Sequence, residues 1–182
     1  MVALIVGSSN AGKSTYIRKV GYFPVAYGHQ LRGGDVPADG AIHYNLLHHA
    51  FVLHRRDDLR PVWDLRDEPI LDRIVASRAV RRAKVIVASL TDLHDRAARR
   101  ALIEPGLAKP GDYPRHIWGE ILDRVDLPAL HDRLFDLLDA SNIPFEILYS
   151  DRERGAFHRT DRALVPGHLS GGEEPAGPVP SG

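Results

Sequence analysis

The chain opens on an apolar run, Val2-Ala3-Leu4-Ile5-Val6, followed at once by Gly7-Ser8-Ser9-Asn10-Ala11-Gly12-Lys13-Ser14-Thr15. No other feature constrains the fold so tightly. The second stretch fills the pattern GxxxxGK[ST], a loop expected between a buried strand and a helix, and Val2 to Val6 and Ser14 to Val20 supply both. Gly7 and Gly12 let the backbone turn so that successive N–H groups aim at phosphate oxygens, an approach that a Cβ at either position would hinder. Lys13 is the expected point charge for the outer phosphates and is expected to face solvent until phosphate arrives. Ser14 is the hydroxyl expected to coordinate Mg²⁺, and the positive end of the helix beginning near Gly12 adds to the anion site. Ser8, Asn10, Ala11 and Thr15 complete the expected phosphate-contacting set.

On these residues the chain resembles the P-loop NTPase superfamily, over roughly its first twenty positions. The resemblance implies ATP and Mg²⁺ as cofactors. It also implies a three-layer α/β/α fold with a mainly parallel central sheet of about four to five strands.

At 182 residues, 43% hydrophobic and 26% charged, the chain suffices for one well-buried domain. Twenty-four basic residues balance twenty-four acidic ones, so net charge calls for neither nucleic acid nor an anionic membrane. There is no cysteine, which excludes disulfides and thiolate metal sites. Apolar runs fall far short of the roughly twenty residues of a membrane span, and Met1 leads straight into the first strand without a signal peptide. A cytoplasmic protein is the expectation. Only positions 13, 19, 84 and 109 are lysine, whereas twenty residues are arginine, whose planar fork suits phosphate.

Further along, strands and helices are expected to alternate. Phe23 to Tyr27 or Ala41 to Tyr44 reads as the second strand, and Ala50 to His54 as a short third. Glu68-Pro69 opens a helix to about Arg82, with Ile70, Leu71, Ile74 and Val75 on one face. Lys84 to Ser89 has the unbroken apolar character of a central parallel strand. Helices are expected from Thr91 or Asp92 to Leu102, from Pro114 to Val125, and from Pro128 to Ser141, the last stopped by Asn142. Pro144 to Tyr149 reads as the final strand. Residues 1–165 are expected to form the domain, and 166–182, rich in Gly, Pro, Ser and Glu, a disordered tail. Leu169-Ser170-Gly171-Gly172-Glu173 matches the signature of ABC-type ATPases, but in that family it opens a helix inside a larger domain. Here it reads as flexible tail.

Missing elements narrow the class. There is no Asn-Lys-x-Asp run for guanine, and the expected central strand ends in Ser89 rather than the Asp that orders Mg²⁺ in mechanical ATPases. The architecture resembles small-molecule kinases of the gluconate, shikimate and nucleotide kinase type. Val87-Ala88-Ser89-Leu90 followed by Arg96, Arg99 and Arg100 is similar to the serine and arginine segment of the gluconate kinases, without their diagnostic motif.

A kinase needs phosphate charge neutralised, an acceptor hydroxyl held in line, and a base near it. Asp35, in Arg32-Gly33-Gly34-Asp35, is the preferred carboxylate, with Asp64 and Asp67 as alternatives. His43 and Asn45 would share one face of a strand and so contact a polar substrate together, with Asp64 a third candidate. The histidines nearby, His48, His49 and His54, make an unconvincing metal site, since Mg²⁺ prefers oxygen. Transition-state charge points to Arg96, Arg99 and Arg100, or to Arg152, Arg154, Arg159 and Arg162 in a polar loop after the last strand. The nucleotide base is expected near Ser150 and Asp151. The expected function is thus ATP- and Mg²⁺-dependent phosphoryl transfer to a small metabolite. The alternative is a regulatory or accessory ATPase whose hydrolysis gates a protein partner.

Overall fold

The structure, a computed structural model, describes residues 1–8, 10–32, 35–46, 52–55, 61–64, 70–87, 127–151 and 154–162. Its centre is β1 (Val2–Gly7), buried along its whole length. Such a strand needs cover on both faces. It pairs in parallel with β3 (Gly40–Asn45) on one side and β6 (Val80–Val87) on the other. β2 (Val25–Tyr27) lies outside β3, and β7 (Phe145–Asp151) outside β6, again in parallel. β8 (Ala156–Thr160) closes the far edge in antiparallel pairing with β7, so the order is β2-β3-β1-β6-β7-β8. A separate antiparallel pair is formed by β4 (Val52–Arg55) and β5 (Pro61–Asp64).

The chain is therefore α/β, with a six-stranded mixed sheet in place of the four to five strands expected. Both alternatives for the second strand are strands, and Ala50 to His54 contributes β4 to the separate hairpin. β8 occupies ground read as polar loop, so Arg159 stands on a strand.

Helices pack on both faces. Along β1, Val2, Leu4 and Val6 enter one core with α2 (Ile70–Ala76) and α3 (Leu127–Ala140), while Ala3 and Ile5 enter a smaller one with α1 (Lys13–Val20). The period-2 alternation of a strand makes this division. In α3, Leu134, Phe135 and Leu138 are buried, and Phe135 stacks on Phe145 with ring centroids 5.5 Å apart. Asn142 ends the helix at φ 54, as its type allows. Among the described residues no helix is long and apolar enough to cross a membrane.

The helix expected to reach Arg82 stops at Ala76. Arg78 turns left-handed at φ 57, while Ser77 donates its hydroxyl to the Ile74 carbonyl at 2.6 Å and accepts the Ala79 N–H. Residues 80–82 are instead the start of β6. Arginine favours helices, but burial of Val80 and Ala83 beside β1 overrides that preference. The register passes from Val2↔Val80 to Ala3↔Arg82, leaving Arg81 as an extra residue. That bulge breaks the alternation and hides the strand's beginning.

Candidate functional site

The order of the parallel strands reverses at β1: the chain leaves it for β2 and β3 on one side, and β6 and β7 extend the other. In open α/β sheets, ligands bind beyond the carboxyl ends of the strands at such a reversal. The Gly7–Thr15 loop leaves the sheet at this place.

Within the loop, Asn10 (φ 62) and Gly12 (φ 96) are both left-handed, on either side of Ala11. Left-handed residues of this kind are a building unit of anion-binding backbone turns. The Ala11 N–H reaches back to the Ser8 carbonyl at 3.3 Å, and Tyr16 N–H to Gly12 O at 2.9 Å starts α1. Gly12 is the N-cap and supplies no side-chain cap; the first turn carries no acidic residue either. A helix leaves its first N–H groups without partners inside the helix, and a glycine N-cap has no side chain to offer them.

The two glycines have different reasons. At Gly12 a side chain would meet a left-handed backbone and come within 2.8 Å of Ser150 Oγ. At Gly7 an added Cβ would lie 2.3 Å from the Ile86 carbonyl oxygen. Gly7 is thus required by the close approach of β1 and β6, not only by phosphate.

Lys13 departs from expectation. It is 3% exposed rather than facing solvent, and its Nζ donates to the carbonyls of Gly7 (3.0 Å) and Ser8. Burial lowers its pKa to about 7. Among the described residues its partners are these carbonyls, and no carboxylate pairs with the buried ammonium.

Ser14, on the exposed first turn of α1, meets His43: Oγ and Nε2 are 3.2 Å apart. The β-register explains the encounter. His43 pairs with Ile5, whose side chain faces α1, and with Tyr27 across the strand. The Tyr27 and His43 rings accordingly lie 5.1 Å apart. Asn45 lies two residues on, on the same face as expected, and opposite Gly7 beside the loop. A cavity of about 540 Å³ opens here, lined by Ser14 and Arg18 of α1, Phe23, Val25, Tyr27 and His43 among others.

The remaining expected residues fall in several places. Asp35 is exposed in the crossover from the 3₁₀ turn Gly28–Arg32 to β3, and among the described residues it makes no hydrogen bond or ion pair. Asp64 ends β5, in the hairpin apart from the main sheet. Ser9, Asp67, His48, His49, Ser89, Arg96, Arg99, Arg100 and Arg152 lie outside the described residues, as do the helices expected within 91–125 and the tail. Ser8 and Ala11 are buried in the loop, and Asn10 and Thr15 are exposed. Ser150 is buried against Gly12. Asp151 accepts the Arg154 N–H at 3.1 Å and lies 3.9 Å from His158 Nε2, holding the β7–β8 turn. Arg162 is taken up by Asp136 and Asp139 of α3. Arg159 pairs with Glu146, which also meets Lys84 at 2.5 Å.

Arg18, Phe23 and Tyr27 were not singled out by sequence. The signal was faint: Ser14 and Arg18 are four apart on a helix, and Phe23, Val25 and Tyr27 alternate on and before a three-residue strand. Among the described residues no cluster of three or more His, Asp or Glu suits a metal ion. The Ser14 hydroxyl fits a Mg²⁺ held largely by phosphate and water oxygens, the usual manner for that ion. Compared with protein-family models, curated proteins and solved structures, the chain matches none.

Proposed function

We propose that the Gly7–Thr15 loop binds the phosphates of ATP and that the protein transfers the γ-phosphoryl group to a small metabolite, as a kinase of the P-loop NTPase type. The observation that carries this is the left-handed pair Asn10 and Gly12, set between β1 and a helix whose N-cap is glycine, at the strand-order reversal. What supports the reading is that a filled sequence motif and two left-handed backbone positions coincide on the same residues.

In the transfer, the acceptor oxygen forms a bond to the γ-phosphorus as the bond to the β–γ bridging oxygen breaks, and ADP leaves with that electron pair. Lys13 gives up its carbonyl partners for phosphate oxygens, which supply the counter-charge its buried position lacks. The Ser14 hydroxyl would hold a phosphate-bound Mg²⁺, which would supply charge neutralisation for the leaving group. His43 lines the cavity next to Ser14, so its imidazole takes the acceptor's proton in place of Asp35, which is exposed in the crossover. The acceptor occupies the cavity beside α1.

The test is ATP consumption with Mg²⁺ and pooled small-metabolite fractions, compared with protein alone and with Lys13→Ala. One fraction is expected to stimulate turnover, and Lys13→Ala to abolish it. Slow hydrolysis indifferent to every fraction would favour the regulatory ATPase, and unchanged turnover in folded Lys13→Ala would sink the loop assignment.

A further inference from the structure

We infer that the cavity beside α1 accepts a planar aromatic metabolite carrying an anionic group, its ring against Phe23 and Tyr27 and its anion on Arg18. The inference rests on the phosphotransfer proposal only in calling this ligand the acceptor.

The cavity's construction is legible from two periodicities. Ser14 and Arg18 stand one turn apart on α1 and form one wall. Val25 and Tyr27, alternate residues of β2, share the opposite surface with His43, which pairs with Tyr27 in the sheet. The Ser14–His43 contact at 3.2 Å joins this space to the phosphate loop. A volume of about 540 Å³ lies in the range of small-molecule sites.

The aromatic preference follows from exposure. Phe23 is 88% exposed and Tyr27 41%; with Val20 at 49% they are three of the four large hydrophobics left exposed among the described residues, Met1 being the fourth. Scattered apolar residues need no explanation, but Phe23 and Tyr27 both line this one cavity. Flat aromatic faces are best covered by another ring. The charge preference follows from pairing. Arg18 lines the cavity without an ion pair among the described residues, and no carboxylate lines it beside Arg18. A phosphate or carboxylate on the ligand supplies the missing partner.

The probes are phenyl phosphate, pyridoxine 5′-phosphate and adenosine 5′-monophosphate, titrated calorimetrically against ribose 5-phosphate. The full chain is first loaded with Mg²⁺ and a non-hydrolysable ATP analogue to fill the loop. At least one aromatic phosphate is expected to bind ten-fold or more tightly than ribose 5-phosphate. Phe23→Ala is expected to weaken it roughly ten-fold, the usual scale for losing a stacking ring, and Arg18→Gln to weaken it similarly. Both residues are exposed, so neither change disturbs the core or the analogue's affinity. The inference is overturned if no aromatic phosphate outbinds ribose 5-phosphate, or if Phe23→Ala leaves affinity unchanged. Aromatic binding that vanishes in Lys13→Ala also overturns it, since the ligand would then sit in the loop. Failure of the analogue itself to bind counts against the phosphotransfer proposal alone. Aromatic binding lost in Phe23→Ala yet kept in Lys13→Ala would still assign the cavity.

Discussion

The two faces of the main sheet bury different things. Toward α2 and α3 the sheet presents Val2, Leu4, Val6, Ile42, Tyr44, Val85 and Val87, closed over by Ile70, Ile74, Leu134 and Phe135. Toward α1 the buried set is smaller and holds Ala3, Ala11 and Ala41 beside Ile5, Ile17 and Ile86. Around that smaller core stand His43, Lys84 and Glu146, each only half-buried. Among the described residues, the first face is packed by large side chains against two helices. Beside α1, among the described residues, smaller side chains border a cleft lined by polar groups such as Ser14, Arg18 and His43. Among the described residues, one face is closed by large side chains and the other borders a cavity.

The largest expected effect breaks the first face. Phe135 is fully buried, and its ring lies on Phe145. Phe135→Ala removes that ring and leaves a cavity, and should lower stability by about 3–5 kcal/mol in urea denaturation. Molecules still folded should keep their ATP affinity. A loss below about 1 kcal/mol would mean that this core is loosely packed, and the contrast between faces would fail.

Lys13 tests the other face in the opposite sense. Lys13→Met should lose triphosphate affinity by roughly a hundred-fold, on the scale of one charge-assisted phosphate contact. It should also stabilise the free protein by roughly 1–2 kcal/mol at pH 7, because a desolvated ammonium is removed and the loss of its two carbonyl bonds offsets only part of that gain. The pH dependence has a definite sign. With its pKa lowered from 10.5 to about 7, the folded lysine binds fewer protons than the unfolded one between those values. Stability therefore rises with pH across that window, and Lys13→Met should flatten the rise. Phosphate restores the charge, so ATP binding at pH 8 should take up a proton. Calorimetry in buffers of different ionisation enthalpy measures it, and zero uptake would mean that the lysine stays as the free protein holds it.

How much of this was legible depends on the range of the information. The β1–loop–α1 unit is local: an apolar run, two glycines and a helical stretch adjoin in sequence, and the structure has them as read. The α/β class and the α3–Asn142–β7 succession were legible for the same reason. The limits of α2 and β6 were not, because Arg81 and Arg82 favour a helix in isolation and only pairing with β1 makes them strand. β8 was hidden because an edge strand can stay polar: its residues are half-buried or exposed, and Arg159 faces a partner thirteen positions away. In the site, the loop and Ser14 came from a motif, and the shared face of His43 and Asn45 from strand alternation. Lys13's burial was invisible because carbonyls of its own loop hold it. The wall formed by Arg18, Phe23 and Tyr27 needed the packing of α1 over β2 and β3, which no local pattern specifies.

The smallest effect sharpens the comparison, because it asks whether the polar part of the α1 face contributes to stability at all. Glu146 joins three strands: it accepts from Arg159 of β8 and pairs with Lys84 of β6 at 2.5 Å. Those bonds, Arg159 first and Lys84 second, lower its pKa from 4.5 to about 2. The stabilisation is fully present above pH 4.5 and is lost as pH falls toward 2. Its size is modest, since Glu146 is 33% exposed and Arg159 75%, and water screens exposed pairs. Glu146→Gln should therefore cost under about 1 kcal/mol at pH 7 and nothing near pH 2, while ATP affinity stays unchanged. Denaturation midpoints compared at the two pH values separate the cases. A loss of several kcal/mol would place this cluster with the closed core on the opposite face, and the division between a face that holds the fold and a face that holds the site would have to be redrawn.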